Sequence, residues 1–331
     1  MKKKIRVAIN GFGRIGRIAL RKFLEQESIE VVAVNDLTDS KTLAHLFRYD
    51  SIHGKFKGTV SSDPGSITIN GNRIQVTAEK DPLLLPWKQL QIDVVLESTG
   101  RFTRSEDAGK HLTAGARKVI ISAPAKDNVK TIVLGVNDDQ LSAEDTILSN
   151  ASCTTNNVAP MIKIIDTLWG IENAYITTVH AYTGDQNLHD GPHKDLRRAR
   201  AAACSIIPTT TGAAKAVTEV FPHLKGKCGG AGIRVPVPDG SLTDITCTVK
   251  KEVTVEELNS AFKKYAEGSM KGILEYTEDP IVSIDIVGNT HSCIFDAQLT
   301  SVLGRMVKVV GWYDNEMGYS SRLAELVCKI G

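Results

Sequence analysis

What this chain lacks narrows its possibilities first. It carries almost no excess charge: 40 Lys and Arg against 38 Asp and Glu leave +2 over 331 residues. So small an excess does not steer a protein toward nucleic acid or an anionic membrane surface. No apolar run approaches the roughly 20 residues needed to span a bilayer. Lys2, Lys3 and Lys4 could open a secretory signal, but Arg6, Asn10, Arg14 and Arg17 deny it an apolar core. A cytoplasmic protein is therefore expected, with no membrane and no nucleic acid as partner. Internal repeats, low-complexity tracts and a Pro-rich linker are also missing. The cysteines, Cys153, Cys204, Cys228, Cys247, Cys293 and Cys328, show neither CxxC nor a zinc-ligand spacing with histidine. Reduced thiols are expected, with no disulfide framework and no metal. Five of them read as small buried hydrophobes. Only Cys153 has a context that suggests reactivity.

What is present is long for one domain and comfortable for two. The chain opens with a strand pattern, Ile5–Asn10, followed at once by Gly11-Phe12-Gly13-Arg14-Ile15-Gly16 and a helical pattern through Ile18, Leu20, Phe23 and Leu24. A second apolar strand, Val31–Asn35, ends on Asp36. A glycine pattern GxGxxG between a strand and a helix, with an acidic residue after the next strand, is the dinucleotide-binding fingerprint. Gly11 permits the tight turn, Gly13 lets the backbone approach a pyrophosphate, and Gly16 lets the helix pack closely; the helix N-terminus offers N–H donors. Asp36 would accept hydrogen bonds from the adenosine ribose and repel a 2′-phosphate, which favours NAD over NADP. Alone, Asp36 reads equally well as a cap on the next turn, and Lys41 nearby could tolerate a phosphate.

Further strands are expected at 93–97, 118–122 and 131–135, with a helix from about Ser105 to Leu112, so the first half should be a mostly parallel sheet. Ser98-Thr99-Gly100 and Ser122-Ala123-Pro124 follow strand ends, where open α/β sheets bind ligands. Ile67–Ile74 reads as an inserted hairpin. Beyond Asn150 longer strands and helices dominate.

Cys153 lies in Ser152-Cys153-Thr154-Thr155-Asn156, after a strand-like stretch and at the start of a helical one. Unpaired backbone N–H groups and the positive end of the helix dipole favour a thiolate there. His180 ends the β-rich run Tyr175–His180. If it reaches the thiol, the two can attack a carbonyl and hold the product as a thioester. Standing alone, His180 would read more readily as a core histidine.

With these residues placed, the chain resembles the phosphorylating glyceraldehyde-3-phosphate dehydrogenases, essentially end to end. The resemblance is carried by Asn10–Gly16, Arg48–Gly54, Ser152–Asn156, Thr177–Thr183, Ile207–Lys215, Arg234-Val235-Pro236 and Trp312–Glu316. It implies an α/β chain: a Rossmann-type, mostly parallel domain over 1–151 and an α+β catalytic domain with a large mixed or antiparallel sheet over 152–316. A final helix, about 317–331, would return to the first domain. By matching positions Cys153 is the nucleophile and His180 its base. Thr183 and Arg234 would hold the substrate phosphate, and Thr154, Arg198, Thr211 and Gly212 the inorganic one, with Ser152 in the same substrate-binding set. Arg198 is chosen over its basic neighbours by alignment alone, and Thr209–Thr211 could equally be a helix cap. Cofactor contacts are implied for Gly11, Gly13, Arg14, Ile15, Gly16, Asp36, Lys80, Thr99, Ser122, Asn315 and Tyr319. Asn157 stands where many members carry a second cysteine, Lys80 where arginine is frequent, and Pro192 agrees with NAD use. A homotetramer is implied, with the loop from about Tyr182 to Cys204 at an interface. The implied reaction oxidises glyceraldehyde 3-phosphate with NAD and inorganic phosphate; erythrose-4-phosphate dehydrogenases share the fold and the thiol chemistry. A role in binding RNA or a protein partner finds no support in the near-neutral charge.

Overall fold

The structure, a computed structural model, describes residues 3–331; Lys2, named above with Lys3 and Lys4, lies outside the described residues. The chain divides into two compact units. One runs to Ile132 and adds Asp139–Ala151 and Ser320–Gly331; the other comprises Val133–Asp138 and Ser152–Tyr319.

The first unit is built on nine strands: β1 (Ile5–Asn10), β2 (Ile29–Asn35), β3 (Val60–Asp63), β4 (Ser66–Ile69), β5 (Asn72–Thr77), β6 (Val94–Glu97), β7 (Lys118–Ile121), β8 (Lys130–Thr131) and β9 (Ile147–Ser149). They lie in the order β3-β4-β5-β2-β1-β6-β7-β9-β8. All pairings are parallel except β3 with β4 and β4 with β5. Val7, Ala8 and Ile9 of β1, and Val94, Val95 and Leu96 of β6, are fully buried. Consecutive apolar residues are what a parallel strand covered on both faces requires. The crossovers hold α1 (Arg14–Phe23), α2 (Ser40–Arg48) and α3 (Ser105–Thr113). The expected hairpin turns at Asn70 (φ 49) and Gly71 (φ 80), the left-handed pair that a tight two-residue turn needs.

The strand expected over 131–135 is a correction, because only Thr131 of it lies in a strand. Ile132 and Val133 are fully buried but enter a turn, where the Val136 N–H donates to Val133 O (3.0 Å) and the Asn137 side chain accepts from the Val133 N–H (2.8 Å). The apolar run is buried, and Asn137 and the turn satisfy its backbone in place of a ladder. Helix α2, capped by Asp39 accepting from the Thr42 N–H (2.9 Å), was not anticipated.

The second unit holds α4 (Cys153–Trp169), β10 (Ile171–Ala181), β11 (Ile207–Thr209), α5 (Ala213–Val220), β12 (Cys228–Val235), β13 (Ser241–Val249), α6 (Val255–Glu267), β14 (Leu274–Thr277), β15 (Cys293–Asp296), β16 (Ser301–Leu303), β17 (Met306–Tyr313) and the first turn of α7 (Met317–Ile330). Its mixed sheet runs β11-β12-β10-β13-β17-β15-β14, with β16 beside β17. β10 pairs parallel with β12 and antiparallel with β13. Strict alternation in β13 buries Ser241, Thr243, Ile245, Cys247 and Val249 on one face. That face and α4, α5 and α6 enclose a core in which Phe262 stacks on Phe295 with ring centroids 3.9 Å apart. In the first unit, Lys118 Nζ donates to the Ile330 carbonyl (2.9 Å) near the end of α7.

All six cysteines are free thiols. Only Cys247 and Cys293 are buried; Cys204 is exposed, and Cys228 and Cys328 are half-buried, so the expectation of five buried hydrophobes holds for two. No helix among the described residues is long and apolar enough to cross a membrane.

Candidate active site

In the first unit, a cavity of about 340 Å³ opens beside the glycine-rich turn, lined by Gly11, Gly13, Asp36, Lys80 and Thr99 and by Asn10, Asn35, Glu79 and Arg101 among others. The glycines divide the work. Gly11 has φ 91, and a Cβ there would lie 2.8 Å from the Ser98 and Thr99 backbone. A Cβ on Gly16 would sit 2.2 Å from Gly11 O, so α1 can approach the turn this closely only without a side chain. Around Gly13, by contrast, a Cβ would meet nothing within 4 Å. That open cradle stands at the N-terminus of α1, which no side chain caps, and it suits an anionic pyrophosphate.

Asp36 fits both of its sequence readings. Its Oδ2 accepts from the Phe12 N–H (2.9 Å), tying it to the glycine turn, and its Oδ1 accepts from the Thr38 N–H (3.1 Å), closing the next turn. A carboxylate so held at the cavity rim can receive ribose hydroxyls. Arg14 forks onto Asp50 at 2.6 and 3.2 Å and does not line the cavity. Ile15, Gly16 and Ser122 do not line the cavity.

Beneath the cavity lies a buried polar network that sequence reasoning missed. Glu97 accepts from Asn10 Nδ2 (2.6 Å), from the Thr99 N–H (2.8 Å) and from the Thr99 hydroxyl, with His111 Nε2 at 3.1 Å. Trp87 Nε1 donates to His111 Nδ1 (2.9 Å), so Nε2 carries the proton and faces the carboxylate. Asn35 Nδ2 donates to Asn10 Oδ1 (2.7 Å) and completes the floor. Glu97 at the end of a buried apolar strand was the available signal, since such a charge needs several partners.

In the second unit, Cys153 is the first residue of α4, and Ser152 caps that helix by accepting from the Thr155 N–H (3.1 Å). Cys153 Sγ lies 3.5 Å from His180 Nε2. His180 comes from the end of β10, where the parallel register sets it beside Arg234 of β12. Arg234 Nη1 is 2.7 Å from His180 Nδ1 and donates to Ala181 O (2.9 Å), which is itself 2.7 Å from Nδ1. Nδ1 cannot both donate to Ala181 O and accept from Arg234. In the first tautomer Nε2 is bare and can take a proton from the thiol. In the second Nε2 bears a proton and can donate to an oxyanion.

Desolvation pushes both members of the pair toward their neutral forms. Desolvation, aided by the Arg234 charge, pushes the His180 imidazole down to about 3. Desolvation also pushes the Cys153 thiol up, although the Arg234 guanidinium opposes it. Burial thus works against ionising either member alone, and transfer of the thiol proton to Nε2 would form the thiolate that the helix start favours. Arg234 and the N-terminus of α4 then stabilise the sulfur anion.

Tyr313 ties this site together and was not singled out from sequence. Its ring meets His180 edge-on (5.9 Å between centroids), and its hydroxyl bonds the hydroxyls of Thr154 (2.9 Å) and Thr178 (3.0 Å). The Thr154 side chain is thus bonded to Tyr313 beside Cys153. Asn315 is buried and oriented by Ser241, whose hydroxyl donates to Asn315 Oδ1 (2.7 Å) and accepts from the Ala181 N–H (3.1 Å). Tyr319 is buried in the same unit. Thr211 and Gly212 immediately precede α5; Gly212 is its N-cap and carries no side-chain cap, so the helix-cap alternative for Thr209–Thr211 is not realised, although the Thr211 hydroxyl accepts from the Ala213 N–H (3.2 Å). Arg198 is held by Thr209 Oγ1 on its Nε (2.9 Å) and by Asp185 on Nη1. Asp185 also receives the Thr183 hydroxyl.

A dinucleotide cradle in one unit and a thiol–imidazole pair in the other are the features of an NAD-dependent dehydrogenase. Residues 5–105 match the glyceraldehyde 3-phosphate dehydrogenase NAD binding domain, and residues 152–315 match the glyceraldehyde 3-phosphate dehydrogenase C-terminal domain. The chain is 57% identical over 330 residues to glyceraldehyde-3-phosphate dehydrogenase 2 of Streptomyces avermitilis, covering 99% of this chain and 98% of that one. It is 57% identical to the glyceraldehyde-3-phosphate dehydrogenase of Geobacillus stearothermophilus over 98% of each chain, and 55% identical to that of Clostridium pasteurianum over 96% of each. The chain belongs to the glyceraldehyde-3-phosphate dehydrogenase family.

Proposed function

We propose that the protein oxidises glyceraldehyde 3-phosphate to 1,3-bisphosphoglycerate, using NAD and inorganic phosphate, through a thioester on Cys153. The observation that carries this is the 3.5 Å approach of Cys153 Sγ to His180 Nε2 at the start of α4. Sγ bonds to the aldehyde carbon as its proton passes to Nε2, and the Cys153 N–H and the imidazolium steady the developing oxyanion. That proton returns to oxygen to complete the thiohemiacetal. The glycine turn and Asp36 would hold NAD, which when bound would supply the acceptor for the hydride that leaves the former aldehyde carbon. His180 Nε2 takes the hydroxyl proton in that step, leaving the acyl group on sulfur. A phosphate oxygen then attacks the acyl carbon, the carbon–sulfur bond breaks, and the sulfur recovers a proton from His180.

Thr183 and Arg234 are assigned to the substrate phosphate and Thr154, Arg198, Thr211 and Gly212 to the inorganic phosphate, with Ser152 in the same substrate-binding set. Arginine forks, hydroxyls and first-turn N–H groups are the donors a phosphate requires. Arg14, Ile15, Gly16, Lys80, Thr99, Ser122, Asn315 and Tyr319 complete the cofactor assignment. We assign the protein to the cytoplasm and to a homotetramer, with the 182–204 loop at a subunit contact. Exposed Leu188 (75%) and Leu196 (81%) on that loop support a contact there. The test is NADH absorbance with substrate and NAD, with and without inorganic phosphate. Sustained turnover only with phosphate is expected; equal turnover without it would remove acyl transfer to phosphate from the account.

A further inference from the structure

Two side chains assigned to different phosphate groups converge on one carboxylate. Asp185 accepts from the Thr183 hydroxyl on one oxygen and from Arg198 Nη1 on the other. Thr183 belongs to the substrate-phosphate set and Arg198 to the inorganic-phosphate set. Asp185 is nearly half exposed, on a loop, whereas the Arg198 side chain is largely buried, at 45% and 19%. Arg198 does not need Asp185 to hold its place. Thr209 Oγ1 receives its Nε (2.9 Å), Thr210 O receives Nη2 (3.4 Å), and Asp195 flanks Nε at 3.8 Å while accepting from the Thr209 hydroxyl (3.0 Å).

We propose that Asp185 is a built-in competitor for oxyanions: its carboxylate satisfies Thr183 and Arg198 when no phosphate is present, and a phosphate must displace it to bind. This rests on the phosphate assignments made above. A carboxylate oxygen accepting from a hydroxyl and a guanidinium copies two contacts that a phosphate oxygen would make. Against the upward push of burial, the Thr183 hydrogen bond and then the Arg234 and Arg198 charges draw the Asp185 carboxyl below its ordinary value, so it is an anion while it sits there. Left in place beside a bound dianion it would repel it, so the phosphate affinity is a difference between the phosphate contacts and the Asp185 contacts given up. The device suits a reaction whose product carries two phosphates. As the product leaves, Asp185 closes over the donors, and the site is spared tight inhibition by its own product or by stray anions.

The sign separates this from a positioning role. If Asp185 only oriented Thr183 and Arg198, removing its charge would weaken phosphate binding; if it competes, removal tightens it. The experiment titrates inorganic phosphate calorimetrically into the full-length, NAD-saturated protein and its Asp185→Asn variant, alongside the KM for phosphate. Asp190→Asn serves as a charge control, since Asp190 lies on the same loop but pairs with Arg200 (2.8 Å). Asp185→Asn is expected to bind phosphate about 3–10-fold more tightly, the scale of one partly exposed charge, with Asp190→Asn unchanged. Unchanged or weaker binding in Asp185→Asn, or equal tightening in both variants, overturns the proposal. Calorimetry needs no turnover, so a wild-type protein that binds phosphate but makes no phosphate-dependent NADH would instead overturn the proposed function.

Discussion

Cys153 and His180 carry opposite burdens from the same burial. Each is pushed toward its neutral form, and their 3.5 Å approach allows a proton to pass between them without changing the net charge of the site. The shift in His180 has a consequence for stability. Its imidazole falls from an ordinary 6.5 to about 3 in the folded chain, so between those values the unfolded chain binds the extra proton. The stability it contributes is complete above about pH 6.5 and is lost as pH falls toward 3; by pH 5 the loss is about 2 kcal/mol. Thermal denaturation at pH 7.5 and pH 5 should show His180→Asn losing less stability on acidification than wild type. An identical loss in both would mean that His180 is not held neutral. The same variant should acylate more slowly by about 10²–10⁴-fold, the scale of a general base, in rapid-mixing measurements; a near-normal rate would place the base elsewhere. At this scale the nucleophile was legible because a Ser-Cys-Thr-Thr-Asn run opening a helix is a local signal. Tyr313 was not legible as a partner of Thr154, because 159 residues separate them in sequence. Asp185 was hidden for another reason: spacing identifies donors suited to phosphate and says nothing of what occupies them without it.

Among the elements, the β1–α1–β2 segment was the most readable. Turn, close helix approach and acidic strand end all fall within a few tens of residues, so each glycine has one physical reason to be where it is. Gly16→Ala tests the tightest of these. With its Cβ placed 2.2 Å from Gly11 O, the helix and turn must separate, and the pyrophosphate cradle must widen. NAD affinity should fall at least about tenfold, as expected when binding geometry is displaced by an ångström, while alkylation of Cys153 keeps its wild-type rate. Unaltered NAD affinity in a fluorescence titration would contradict this use of Gly16. The 131–135 run misled for a related reason: Ile132 and Val133 are as buried as any strand residue, and periodicity reports burial rather than hydrogen-bond partners. The pairing of β10 with β12, which puts His180 beside Arg234, joins residues 54 apart and could not be read locally.

Across the whole molecule, the two-sheet architecture was legible largely through resemblance to the family. The parallel first half follows from its alternating strands and helices; the mixed second sheet depends on pairings far apart in sequence. The central claim joins the two halves chemically: oxidation energy is retained as a thioester on Cys153 until phosphate arrives. It is tested most directly by one turnover without phosphate, following NADH absorbance and then the mass of the intact chain. The account predicts a burst of about one NADH per chain and an acyl group on the wild-type protein. In Cys153→Ala it predicts neither burst nor adduct, with NAD binding preserved. A burst with no covalent adduct, or equal NADH from Cys153→Ala, would contradict it.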